Sequence, residues 1–275
     1  MLEVETIGAA FGSEVSDLAV QDCSDQVLRD LLYRVERDGV VVVRRQALDD
    51  RDLHTFAQRI GPLEDSSRKV CLSPDFPAIS YLSNLQDEFG EPIGFPGTTT
   101  DFWHSDQQHR ERPATLALLY CVVPAPTGGA TSFVSTDVQN TGLDAGLVAE
   151  LGGRRAVYEP APNHDNAPRV RVSHPALLVS PSSGKRSAYV SENTLGFSGL
   201  DAAGSTALKR GVLDRLTRPE VIYSHHWRTG DLIIYDNAQL LHRREQFEGR
   251  RWLKGAKIFA PADLFAVPDG RVVSP

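Results

Sequence analysis

His104 and Asp106 stand two residues apart in the stretch Phe102-Trp103-His104-Ser105-Asp106. A strand alternates its side chains, so both would leave it on one face, with Trp103 packed on the other. An imidazole and a carboxylate delivered together form two corners of a metal site. A second histidine would complete the face of two His and one carboxylate that binds Fe(II) and leaves the opposite positions open. The spacing also arises by chance, as in His109 and Glu111. The surrounding elements must therefore carry the rest of the argument.

The chain has 275 residues, 41% of them hydrophobic and 24% charged, which suits a globular protein with a sizeable core. Its net charge of -7 argues against a nucleic-acid footprint. Cys23, Cys71 and Cys121 are too few and too scattered for a disulfide framework, so a reducing, cytoplasmic setting is expected. The start, Met1-Leu2-Glu3-Val4-Glu5, is acidic where a signal peptide is basic. No apolar run approaches the roughly 20 residues of a membrane span.

Ser24 caps a helix whose Leu28, Leu31, Leu32 and Val35 share a face, and Gly39 ends it. Val40 to Val43 reads as a buried strand. Asp50 is expected to cap a second helix carrying Leu53, Phe56, Ala57 and Ile60, closed by Gly61. Strands are expected at 78–84, 114–123, 131–134, 154–159, 170–179, 187–190, 221–227, 231–235, 240–243 and 252–259, with helices at 143–151 and 201–216. Residues 86–101 are rich in Gly, Pro and Thr and run straight into His104, which suits a lid, and 160–168 is a second candidate. Many short strands broken by turns point to a mainly β fold with flanking helices, a jelly roll of the cupin-like, double-stranded β-helix kind. We expect one domain across residues 1–275.

Several motifs, in order along the chain, resemble the taurine dioxygenase family. They are Phe102 to Asp106, then Gly128-Gly129-Ala130-Thr131, then Gly230-Asp231-Leu232-Ile233-Ile234-Tyr235-Asp236-Asn237 followed by His242, then Arg250-Arg251-Trp252-Leu253. The resemblance implies an Fe(II)- and 2-oxoglutarate-dependent oxygenase with His104, Asp106 and His242 as the metal ligands. It implies that Thr131 contacts 2-oxoglutarate. It also implies O2 and a small-molecule substrate as partners, either a polar metabolite or a natural-product intermediate, which would be hydroxylated or otherwise oxidised at C–H. A metal-binding sensor and a zinc hydrolase are the rival readings.

One departure matters. The family's arginine for the far carboxylate of 2-oxoglutarate aligns with Gly255. Three explanations stay open at this stage. Lys257, two residues on and on the same face, takes the role; or Arg251 swings in from the edge of the turn; or 2-oxoglutarate is not used. Lys254 is expected to face away and be solvated. Asn84, Gln86 and Lys69, with Arg68, flank the lid within reach of a polar substrate.

Overall fold

The structure is a computed structural model that describes residues 3–7, 11–64, 71–95, 101–160 and 170–273. A seven-stranded sheet runs in the order Glu3–Thr6, Ser13–Ser16, Val40–Val43, Leu232–Asp236, Leu116–Val123, Trp252–Ile258, Ile79–Ser83. Every neighbouring pair in it is antiparallel except Ser13–Ser16 with Val40–Val43. A three-stranded sheet, Tyr223–His225, Thr131–Ser135 and Leu240–Arg244, packs against it.

The alternation of side chains builds three layers of core. On one face of the large sheet, Val41, Val43, Leu116, Leu118, Leu232, Ile234, Ala256 and Ile258 meet the two N-terminal helices. On the other face, Val40, Val42, Ala117, Leu119, Ile233 and Tyr235 meet Phe133 and Leu240 of the small sheet. Behind the small sheet, Val134 and Leu241 pack with residues of two further helices. This is the expected jelly roll with helices outside. It differs from a simple alternating sheet in that both faces of the large sheet are covered.

The helices begin where local chemistry permits. In α1 (Asp25–Asp38) the Ser24 side chain accepts a hydrogen bond from the Val27 N–H, and Gly39 ends the helix at φ 77°. In α2 (Asp50–Ile60) the cap is Asp49 rather than Asp50, because Asp49 and Asp52 form a reciprocal capping box. Asp50 is thereby freed to turn toward the sheet. Helices α3 (Ala145–Leu151) and α4 (Ala202–Leu216) start at Asp144 and Asp201, each accepting from a backbone N–H. The strand expected over 221–227 shortens to Tyr223–His225, since Pro219–Val221 forms a 3-10 turn.

Of the expected lid, residues 96–100 lie outside the described residues, as do 161–168 of the second candidate. Residues 86–95 fold back on the edge strand: Gln86 pairs with Pro92, and Phe95 donates its N–H to the Tyr81 carbonyl. Gly94 is required there, because a Cβ would sit 2.6 Å from the Cβ of Ser83.

Buried His174 fixes the turn that follows Asp106. Its Nε2 is 3.0 Å from the carbonyl oxygens of both Gln108 and Arg110. Burial pushes its pKa down to about 4. The unfolded chain therefore takes up this proton first, and stability is lost as pH falls from about 6.5 toward 4. Between pH 7 and pH 5 this one group is expected to remove about 2 kcal/mol. Chemical denaturation of the metal-free protein at both pH values checks it, because the drop should shrink by about that amount in His174→Asn.

Candidate active site

His104 and His242 face each other through a single β-bridge. The His104 N–H donates to the His242 carbonyl at 3.1 Å, and the return bond is 2.8 Å. This differs from the expected strand over 102–106. The chain makes one bridge and then turns, because Asn237 takes hold of Asp106. The Asp106 N–H donates to Asn237 Oδ1 at 2.8 Å, and Asn237 Nδ2 donates to the Asp106 carbonyl at 3.0 Å. The Ser105 hydroxyl donates to the Leu240 carbonyl at 2.9 Å. The two side chains still converge, as the two-residue spacing requires.

The three proposed ligands meet in space. His104 Nε2 lies 3.7 Å from Asp106 Oδ1, and His242 Nε2 lies 3.4 Å from Asp106 Oδ2. Donor atoms from all three residues fall within 4.8 Å of one another. His104 Nδ1 is 2.9 Å from the Phe102 carbonyl, an arrangement that directs Nε2 into the site. Burial, reinforced by His242, pushes the His104 pKa down to about 4, so its lone pair is free near neutral pH. Burial alone would raise the Asp106 pKa. Lys257, then His242, outweighs it and holds the carboxyl well below its usual range. Two imidazoles and one carboxylate that converge in this way fit Fe(II) and equally its divalent stand-ins. Phe133 and Tyr235 pack on the His242 ring at 6.1 and 5.2 Å between centroids and fix its plane.

Three cationic or polar positions bear on where 2-oxoglutarate could sit. Lys257 was one of the candidates for the far carboxylate; its Nζ instead donates to Asp106 Oδ2 and to the Tyr235 hydroxyl, beside the three residues. Thr131 is buried, opposite Arg244 and two residues from Phe133, which pairs with His242. It thus lies about 7 Å along the same face from the level of the triad. Its Oγ1 accepts a hydrogen bond from Trp227 Nε1 at 3.1 Å.

Arg251 does not cap an exposed edge. It is only 6% exposed, with its guanidinium 5.4 Å from the Phe247 ring centre and its Cδ 3.5 Å from where a Cβ on Gly129 would stand. Its Nε has no hydrogen-bond partner among the described residues. Burial, then the neighbouring Arg244, pushes its pKa down to about 10. Gly128 and Gly129 let the chain pass this close, both at positive φ.

Other expectations fare differently. Lys254 is not solvated: it is buried and paired with Asp50 at 2.6 Å, because the face away from the cavity is covered by α2. Asn84 spends its amide on backbone, donating to the Gly249 carbonyl and accepting from the Arg251 N–H. It positions the Arg251 segment rather than a substrate. Gln86 is exposed, on the fold-back over the edge strand, and Lys69 and Arg68 lie outside the described residues. Trp103 packs in the core behind the small sheet, under the guanidinium of Arg243. Tyr235, Asn237 and Trp227 are site residues that sequence reasoning missed. Tyr235 carried a signal, as the one side chain with a hydroxyl in the apolar strand Leu232–Asp236.

The family described as "Taurine catabolism dioxygenase TauD, TfdA family" matches residues 3–257. The chain belongs to the TauD/TfdA dioxygenase family. This family member is 27% identical to the alpha-ketoglutarate-dependent 2,4-dichlorophenoxyacetate dioxygenase of Burkholderia sp. (strain RASC), over 92% of each chain. It is 24% identical to pentalenolactone F synthase of Streptomyces avermitilis, over 88% of each. The fold is shared with the crystal structure of a putative alpha-ketoglutarate-dependent taurine dioxygenase from Burkholderia xenovorans, at a TM-score of 0.83 and 20% identity, covering 100% of this chain and 96% of the other. Family membership sets aside the zinc hydrolase and the non-catalytic sensor. Among the described residues no helix is long and apolar enough to cross a membrane.

Proposed function

We propose that this TauD/TfdA dioxygenase holds Fe(II) on His104, Asp106 and His242 and binds 2-oxoglutarate with its far carboxylate between Arg251 and Thr131. The observation that carries the assignment is the buried guanidinium of Arg251, with a nitrogen left without a partner, beside the Gly128-Gly129 turn. A buried charge without a counter-ion is costly, and a carboxylate in a bidentate contact satisfies it. The Trp227 N–H occupies one lone pair of the Thr131 hydroxyl, which leaves its proton for the same carboxylate. Gly255 therefore does not signal the loss of the cosubstrate, and the reading without 2-oxoglutarate is set aside.

Fe(II), when bound, activates O2 so that one oxygen atom enters succinate as 2-oxoglutarate loses CO2, and the other is available to a C–H bond of the substrate. The chain's own groups supply the rest. His104 and His242 present their Nε2 atoms, Asp106 supplies one negative charge, and the packed aromatic rings of Phe133, Tyr235 and Trp227 exclude water from that side. A small polar metabolite or natural-product intermediate is the substrate class in this reading, in one domain across residues 1–275. The same reading takes a reducing, cytoplasmic setting, in keeping with three scattered cysteines.

The test supplies Fe(II), O2, 2-oxoglutarate and candidate acids, and follows succinate. Succinate is expected only when iron and 2-oxoglutarate are both present. Oxidation of a substrate without succinate would reject the cosubstrate assignment.

A further inference from the structure

The ammonium of Lys257 is bonded to a carboxylate that the site needs for metal. Nζ reaches Asp106 Oδ2 and lies 3.2 Å from the Tyr235 hydroxyl, which itself lies 3.3 Å from the same oxygen. It also stands 5.5 Å from the centre of the Tyr235 ring. Asp106 is pinned at its backbone on both sides by Asn237. The contact is therefore built into the fold and is not a chance meeting of two loose side chains. Lys257 reaches the triad from the Trp252–Ile258 strand, from the same face as Gly255. No other Lys or Arg makes an ion pair to the triad among the described residues.

The consequence is electrostatic. Imidazoles that ligate a metal are neutral, so two of them and one carboxylate bring a single negative charge, and Lys257 cancels it. A site of this kind loaded with a divalent cation has a net charge of +2 instead of +1. That opposes the metal and favours an anion beside it. An outer partner that merely orients a ligand is worth about 10- to 100-fold in metal affinity. Repulsion between an ammonium and a divalent cation that share one carboxylate is larger at this range, so the charge effect decides the sign.

We propose that Lys257 is a positioning charge that lowers the affinity of the site for its metal and raises the affinity of the loaded site for a chelating anion, the 2-oxo carboxylate end of the cosubstrate. The inference rests on the function proposed above. It assigns Lys257 to the near end of the cosubstrate and leaves the far end to Arg251. A residue with only a structural role would weaken both ligands or neither.

The experiment uses the whole protein with Mn(II) as the metal and oxalate as the anion, since oxalate has no far carboxylate. Mn(II) is titrated by electron paramagnetic resonance, and oxalate is then titrated into the loaded protein. Lys257→Met is expected to bind Mn(II) at least about 10-fold tighter and oxalate at least about 10-fold weaker. Lys257→Arg keeps the charge and should stay within about 3-fold of wild type for both, and Tyr235→Phe should do the same. Arg251→Met should leave oxalate unchanged. Mn(II) binding that is equal or weaker in a folded Lys257→Met protein overturns the proposal, as does oxalate binding that is equal or tighter. If Lys257→Met does not fold, Lys257→Gln, which keeps a donor without the charge, must show the same two changes or the proposal fails. A wild-type protein that binds no Mn(II) would instead overturn the metal assignment beneath it.

Discussion

His242→Ala is expected to fold, to lose tight binding of Fe(II), and to lose turnover by more than the roughly 10- to 100-fold that follows removal of an outer partner of a ligand. The backbone bridge to His104 does not depend on the side chain, so the strand Leu240–Arg244 keeps its register. The lost ring leaves a gap beside Phe133 and Tyr235. That gap lowers stability by an amount set by how far the two rings relax. Asp106→Ala is a poorer experiment, because it leaves Lys257 with its main counter-ion gone in a site closed on most sides. Asp106→Asn keeps the shape and removes the charge. Metal content after gel filtration, measured beside far-ultraviolet circular dichroism, separates lost ligation from lost fold. Full metal occupancy in His242→Ala would contradict the assignment.

The second large effect belongs to Arg251, and it has two signs. Arg251→Met should weaken 2-oxoglutarate on the order of 100-fold, the loss of about 3 kcal/mol expected for hydrogen bonds between charged groups. The same change should leave the ligand-free protein as stable as wild type, or more so. The guanidinium is buried, its Nε is unpartnered, and Arg244 stands close enough to repel it. Methionine has similar length and no charge to desolvate. Calorimetric titration gives the first number and thermal unfolding the second. A large fall in melting temperature with unchanged 2-oxoglutarate affinity would make Arg251 a structural residue.

How far the sequence led depends on the residue. His104 and Asp106 were legible from a spacing of two, and the convergence held even though the local structure is one bridge and a turn. The spacing rule needs only two alternating residues, not a full strand. His242 was not legible from spacing, because more than a hundred residues intervene, and it entered through the family resemblance. Lys254 was misread for a definable reason. Alternation on the strand Trp252–Ile258 says which side chains point away from the cavity, but not whether water or a helix lies beyond. Here α2 lies there, and Asp50 receives the charge. Arg251 stood as one of three candidates for the far carboxylate, at the edge of the turn, because the strand pattern ends there. The sequence does not reveal that the Gly128-Gly129 turn and Phe247 fold over it. Lys257 shows the reverse case. Its face was right, but its reach toward Asp106 depends on a side chain long enough to pass its neighbours on the strand, which index parity does not encode.

The central claim is that His104, Asp106 and His242 hold Fe(II) while the opposite side stays open to 2-oxoglutarate. Its most direct test is an anaerobic titration of the Fe(II)-loaded protein with 2-oxoglutarate, watched by visible absorption. A weak charge-transfer band that saturates at one equivalent is expected in the wild type and absent in His242→Ala. A wild-type protein that takes up one Fe(II) yet shows no band at any concentration of 2-oxoglutarate would contradict the account.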